Sequence, residues 1–357
     1  MTISFMAGRR IQGLDSDLTA TQLPSGSVGG WVEIDRNTLS SSANSISVDN
    51  LTTPTTYRYY MVLMHTTGLS SNNDVSVRFN DDAGSTNYSR RWSYGGNTGG
   101  STTSLSSTAW HFAQDAQTTS RFSHHYISNL ASKYKLAMSF GVRERTSGAG
   151  YYPDRFEGAG SWKNSTDAIS KITALTETAN TFNAGTQMVV LGYDPTSTHT
   201  TNFWKKLKTA TASGTTTDLS VEFVAKKYLW VQFTGKSSST AYVYMRMNDD
   251  AGASYSYDLT QDGNNTPDRS VNNNSMFPTP NASGDKFVNM FIANPSNYPK
   301  LVYSNSANIT TAGAGTVASR REYAGKWASN DQVTKLTFTA SAGNLTNYST
   351  VTVWGSD

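Results

Sequence analysis

The stretch Arg78-Phe79-Asn80-Asp81-Asp82-Ala83-Gly84-Ser85 returns later in the chain as Arg246-Met247-Asn248-Asp249-Asp250-Ala251-Gly252-Ala253. The alternation Val77-Arg78-Phe79 ahead of the first copy, and Tyr88 behind it, place the motif at a hairpin tip. Asn and Asp initiate such a turn by hydrogen-bonding their own backbone, and Gly is expected to supply the positive φ. Further along, Gly148-Ala149-Gly150, Arg155, Glu157, Gly160 and Trp162 return as Gly313-Ala314-Gly315, Arg320, Glu322, Gly325 and Trp327. Ile169, Lys171-Ile172-Thr173 and Leu191-Gly192-Tyr193-Asp194 answer to Val333, Lys335-Leu336-Thr337 and Trp354-Gly355-Ser356-Asp357. A period of about 165 residues means whole domains duplicated in tandem, not a solenoid or propeller.

Each copy is built of short apolar runs bounded by Gly, Asn or Ser. In the first these are Tyr59 to Met64, Val75 to Phe79, Lys135 to Phe140 and Met188 to Leu191. In the second they are Leu219 to Phe223, Leu229 to Phe233, Tyr242 to Met247 and Lys335 to Phe338. The run Tyr242 to Met247 is so rich in aromatic and apolar residues that both of its faces are expected to be covered. No amphipathic helical stretch competes with these strands. The expected fold is therefore all-β: two tandem, duplicated antiparallel β-sandwiches with an extended N-terminal arm. Copies of this size suit a jelly roll better than an immunoglobulin-like sandwich. The boundaries read as an arm over 1–27, ending in Pro24-Ser25-Gly26-Ser27, a first sandwich over 28–195 and a second over 196–357.

Composition narrows the function. Charged residues make up 15% of the 357 and the net charge is +3, with Lys and Arg scattered, so there is no basic stripe for nucleic acid. With no cysteine, disulfides and thiolate chemistry are excluded. No run approaches the about 20 apolar residues that span a membrane, and Met1 to Leu18 lacks the order of a signal peptide, so synthesis in a cytoplasm is expected. Triplets such as Asn87-Tyr88-Ser89 then carry no glycan.

The candidate sites are few. Adjacent carboxylates beside an Asn suggest Ca²⁺, which makes Asp81, Asp82, Asp249 and Asp250 the calcium candidates, behind the plain turn reading. The histidines His65, His111, His124, His125 and His199 have no metal-ligand spacing, and adjacent His124 and His125 point to opposite strand faces. Glu144 with Glu157, or Asp154 with Glu157, could be proposed as a glycosidase pair. The period-two repeat Arg155/Glu157 and Arg320/Glu322 more simply forms salt bridges on one strand face. No nucleophile elbow or phosphate loop is present, and no enzyme and no cofactor are expected. Aromatic residues are abundant, and Trp92, Tyr94, Tyr255 and Tyr257, read as loop residues after the acidic turns, are the candidate ligand-facing set.

One resemblance adds to this reading. The block Gly158-Ala159-Gly160-Ser161-Trp162-Lys163-Asn164, Ala168-Ile169, Ile172, then Phe182, Ala184-Gly185-Thr186 and Leu191-Gly192-Tyr193, resembles the C-terminal strands of virion structural proteins of tailed bacterial and archaeal viruses. The opening Phe5-Met6-Ala7-Gly8-Arg9-Arg10-Ile11-Gln12-Gly13 is similar to N-termini of marine viral structural proteins. The second copy departs from the pattern at Ala328, Asn330 and Tyr348-Ser349. The resemblance implies a capsid, decoration, fibre or tail component located in the virion. Its partners would be itself, as a homo-oligomer such as a trimer, and other virion proteins. Phe5, Arg9, Arg10 and Ile11 would then belong to an assembly arm that orders on a neighbour. Two other readings stand beside it: a fibre or lectin-like module that binds a host-surface glycan, and a double jelly-roll major coat protein.

Overall fold

The computed structural model describes residues 30–52, 56–95, 102–113, 118–130, 132–176, 180–195, 201–264, 266–309 and 315–357. The expected arm, with Phe5, Arg9, Arg10 and Ile11, lies outside the described residues, as does His199. The described chain is all-β. The first copy runs β1 (Val32–Thr38), β2 (Ser45–Val48), β3 (Tyr59–Thr66), β4 (Val75–Phe79), β5 (Tyr88–Tyr94), β6 (Thr102–Ser107), β7 (Trp110–Ala113), β8 (Arg121–Ser128), β9 (Lys135–Arg143), β10 (Asp154–Trp162), β11 (Ile172–Thr176) and β12 (Gln187–Tyr193). The second runs β13 (Lys205–Thr211), β14 (Asp218–Glu222), β15 (Tyr228–Lys236), β16 (Val243–Met247), β17 (Tyr255–Gln261), β18 (Asp268–Asn273), β19 (Asp285–Ala293), β20 (Lys300–Asn308), β21 (Ser319–Trp327), β22 (Lys335–Ala340) and β23 (Thr350–Ser356).

In each copy a large sheet faces a small one. The first pairs the order β1-β12-β3-β8-β9-β10-β5-β6 with β2-β11-β4-β7, and the second pairs β13-β23-β15-β19-β20-β21-β17-β18 with β14-β22-β16. Strand β1 lies antiparallel to β12 and β2 to β11, first with last and second with next to last. That nesting is what a long hairpin gives when it is rolled up, the jelly-roll-like arrangement. Alternation supplies the core between the sheets: Tyr60, Val62 and Met64 of β3 meet Val77 and Phe79 of β4, and Leu229, Val231 and Phe233 of β15 meet Met245 and Phe338.

A third apolar cluster lies between the two large sheets, which pack back to back. Met61, Leu63, Phe122, Val189 and Leu191 of the first meet Phe203, Trp204, Tyr228, Phe291 and Leu301 of the second. The molecule therefore has four layers. Strands β3 and β12 are buried along nearly their whole length because both of their faces are covered. The strand containing Tyr242 to Met247 is different from expectation. Strand β16 lies in the outer three-stranded sheet, its burial alternates, and Tyr244 turns outward against Phe277. Aromatic density in that run reflects surface rings on one face and methionines on the other.

Both acidic motifs are structural turns. Asn80 and Asp81 have φ of 54° and 54°, and Asn248 and Asp249 have 51° and 57°. The Asp82 amide donates to Phe79 O at 3.0 Å, and Asp250 to Met247 O at 3.0 Å. Two successive positive φ values mark the primed turn that suits a twisted strand end. Positive φ thus falls on Asn and Asp, which tolerate it, and not on Gly84 or Gly252 as expected from the motif. Those glycines relieve crowding: a Cβ at Gly84 would sit 2.3 Å from Asn87 Nδ2.

Two further devices are duplicated. The Lys135 ammonium at the start of β9 donates to the carbonyls of Leu130, Lys133 and Asn164, and Lys300 at the start of β20 does the same for Tyr298 and Ser329. Asn129 accepts from the Ile169 amide at 2.8 Å and donates to Tyr57 O, while Asn294 accepts from Val333 at 2.7 Å and donates to Lys226 O. Each fixes a loop whose backbone groups would otherwise be buried without partners.

Candidate functional site

The residues expected to face a ligand do not form one surface. Trp92 lies in β5, buried, with its ring stacked on His111 at 4.6 Å and the Arg90 guanidinium 5.0 Å above it. Tyr255 is in the core of the second sandwich, its hydroxyl accepting from the Met247 amide at 2.9 Å and its ring stacked on Trp327. Tyr257 is half-buried between Phe277 and Tyr323, and only Tyr94 is open to solvent. The loop assignment fails because these residues continue strands β5 and β17, which pair with β10 and β21.

The calcium candidates are also committed internally. Asp81 pairs with Lys171 at 2.7 Å and accepts from Thr173, and Asp249 pairs with Lys335 at 2.7 Å and accepts from Thr337. The lysine hydrogen bond holds each of these two carboxyls below the usual range. Burial opposes ionisation of Asp82 and Asp250, but hydrogen bonds from Trp162 and Gly84, and from Trp327 and Gly252, outweigh it. Among the described residues no group of three or more His, Asp and Glu is placed to hold a metal ion.

His124 and His125 do point to opposite faces. His124 lies against Phe291 at 4.5 Å between the sandwiches, and burial lowers its pKa to about 3. His125 is held between Ser139 and Ser123 in the first core, and burial lowers it as well. Of the carboxylates weighed as a glycosidase pair, Asp154 is salt-bridged to Arg143 and Arg145, and Glu144 accepts from Ser120. Glu157 pairs with Arg155 at 3.0 Å and accepts from the Tyr303 hydroxyl at 3.0 Å; its pKa is raised, chiefly by burial. The matching pair Arg320–Glu322 closes at 3.0 Å, and Arg155 also reaches Glu322 at 3.5 Å and its carbonyl at 2.8 Å. The duplicated ion pairs therefore sit together at the seam and join the two sandwiches.

What the structure does present is an aromatic groove on the back of the first large sheet. Trp31 precedes β1, Tyr59 opens β3, Tyr193 closes β12, Tyr126 lies in β8, and Leu136 and Met138 alternate along β9. Register brings them together: Tyr59 lies opposite Tyr193, and Met138 lies between Tyr126 and Ala159. The rings tile, with Tyr59 to Tyr193 at 6.2 Å, Trp31 to Tyr193 at 5.5 Å and Trp31 to Tyr126 at 6.2 Å. The small side chain of Ala159 leaves the floor open, and the cavity measures about 610 Å³. Leu136 is 59% exposed and Met138 50%, which is high for apolar side chains in mid-strand. Tyr126 is buried enough that its pKa rises to about 12.

The second sandwich has the same positions, but there they are covered. Strand register makes Trp204 the counterpart of Trp31, Tyr228 of Tyr59, Phe291 of Tyr126, Leu301 of Leu136 and Tyr303 of Met138. All five are buried, because they are the face that packs on the first sandwich. Leu136 and Met138 were in a strand read correctly from sequence. The missed signal was that its other register, Ala137 and Ser139, is also compatible with a core, so that one face had to remain apolar without a partner.

Comparison with known proteins adds little. No family model matches this chain, and no curated protein matches it in sequence. Among solved structures it is similar to mouse laminin alpha1 chain domains LG4-5, at 10% identity over 92% of this chain and 90% of that one, with a TM-score of 0.21. It is also similar to human GIVD cytosolic phospholipase A2, at 7% identity over 76% of this chain and 33% of that one, with a TM-score of 0.12. Similarities of this size carry no argument about function.

Proposed function

We propose that this chain is a non-enzymatic structural component of a virus particle, assembling on or within the capsid or tail surface through its N-terminal segment and its sandwich faces. The resemblance of the 158–193 block and of the N-terminus to virion structural proteins supports the virion setting. The observation that carries the assembly role is the uncovered groove. The same strand positions in the second sandwich already serve as a protein-docking face, and contiguous exposed apolar surface on a folded domain marks an interaction site. Its lining is aromatic and aliphatic, the composition of interface cores. Light scattering on the full-length protein tests this. A defined oligomer that dissociates in the Leu136→Lys/Met138→Lys variant is expected. A protein that stays monomeric at every concentration overturns the assembly role.

A second reading is glycan recognition by the same groove, favoured by the tiling of Trp31, Tyr59 and Tyr193, whose faces can stack on sugar rings. Binding on a glycan array, abolished by Trp31→Ala, would support it. Absence of binding to any sugar would remove it.

A further inference from the structure

We propose that the groove is the seat of the chain's own N-terminal segment, engaged through Ile3-Ser4-Phe5-Met6. The proposal deepens the assembly reading, since it names the occupant of that surface. Four observations carry it. The face has a precedent inside the molecule: at the same positions in the second sandwich, Trp204, Tyr228 and Leu301 are buried under polypeptide, so this arrangement of strands and rings already buries apolar protein once. The groove is continuous with that interface, because both occupy the back of the first large sheet.

The chain also arrives at the right place. Its described part begins at Gly30, whose amide donates to Asn202 Oδ1 at 2.9 Å, and the next residue, Trp31, is a wall of the groove. The 24 residues that separate Met6 from Trp31 (positions 7 to 30) span up to about 80 Å when extended, so the apolar cluster can reach the groove of its own copy or of a neighbour.

The pattern fits as well. Ile3 and Phe5 are two residues apart, the spacing that puts side chains on one face of an extended chain, and the groove offers Leu136 and Met138 at the same spacing along β9. Beyond Met6 the segment turns basic at Arg9-Arg10, which bounds the apolar run.

Because the protein has no cysteine, disulfide trapping reads this directly. The full-length Phe5→Cys/Met138→Cys protein is compared under mild oxidant with Phe5→Cys/Val224→Cys, Val224 being 77% exposed on the second sandwich. Leu136→Cys supplies a second groove position, also exposed, in case the first disturbs folding. Faster cross-linking at the groove, by about tenfold or more, is expected for a docked segment. Equal rates at groove and control positions overturn the proposal. The products also separate this inference from the reading it rests on. A groove cross-link within one chain of a monomeric protein upholds the seat and removes the assembly role. An oligomer whose segment shows no preference for the groove removes the seat and leaves that role standing.

Discussion

The indole Nε1 of Trp162 donates to Asp82 Oδ2 at 2.7 Å, and in doing so ties the large sheet of the first sandwich to the small one. Trp162 closes β10 in the eight-stranded sheet, and Asp82 follows β4 in the four-stranded sheet. Trp327 repeats the bond to Asp250 at 2.7 Å in the second sandwich. The duplicated Asp and Trp, the most conspicuous polar and aromatic repeats in the sequence, are thus the two ends of one strut.

Trp162→Phe keeps an aromatic ring but removes the donor together with the pyrrole half of the buried indole, leaving a partly buried carboxylate short of a hydrogen bond and a small void. Chemical denaturation should show a loss of about 1–3 kcal/mol. Trp327→Phe should cost a similar amount. The struts lie in separate sandwiches, so the double variant should be additive within about 0.5 kcal/mol.

Acid should weaken these struts and the neighbouring Asp81–Lys171 and Asp249–Lys335 pairs. The carboxyls of Asp81, Asp82, Asp249 and Asp250 have lowered folded-state pKa values, so the unfolded chain binds protons more readily. Their contribution is full above the unfolded value of about 3.9 and is lost as pH falls through the folded values. Melting temperature should drop steeply below about pH 4. Asp82→Asn together with Asp250→Asn should flatten that limb while lowering stability at neutral pH.

Gly160 and Gly150 separate two kinds of glycine. A Cβ at Gly160 would lie 2.1 Å from the Trp110 ring, whereas at Gly150 nothing lies within 4 Å. Gly160→Ala should destabilise by about 1–3 kcal/mol as the ring is forced aside. Gly150→Ala should be close to neutral in the same denaturation measurement.

Arg155 is 3% exposed and holds both Glu157 and Glu322, so it serves both sandwiches. Arg155→Met strands the Glu157 carboxylate at the seam, while Glu322 keeps Arg320, at a cost of about 3–5 kcal/mol. Calorimetry should then show the single transition broadening or splitting as the sandwiches uncouple. One sharp transition at the original temperature would mean that the seam is held by its apolar contacts alone.

Much of the fold was legible because the strands are short, bounded by turn residues, and present twice. Tyr59 to Met64 and Lys335 to Phe338 were placed correctly from their patterns. The back-to-back seam was not legible. A strand covered on both faces and one covered on a single face can have similar composition, and β16 with β3 shows the confusion in both directions. The candidate site was hidden for a related reason. Trp92 and Tyr255 look available by residue type, but pairing register decides which rings are buried. The groove draws Trp31, Tyr59, Tyr126 and Tyr193 from four separate strands or strand ends, and no local pattern connects them.

The first-with-last nesting has a consequence for how the protein is made. Strand β1 has no partner until β12 leaves the ribosome, so the first sandwich closes only when residue 193 has been synthesised. Translation at roughly 5–20 residues per second then takes roughly 10–30 s more to deliver the second sandwich. During that interval Met61, Leu63, Phe122 and Leu191 stand uncovered on the back of a finished sheet. The nascent chain thus passes through a stage in which one half is folded and adhesive while the half that will shield it does not yet exist, and the yield of soluble protein should depend on how quickly that stage ends.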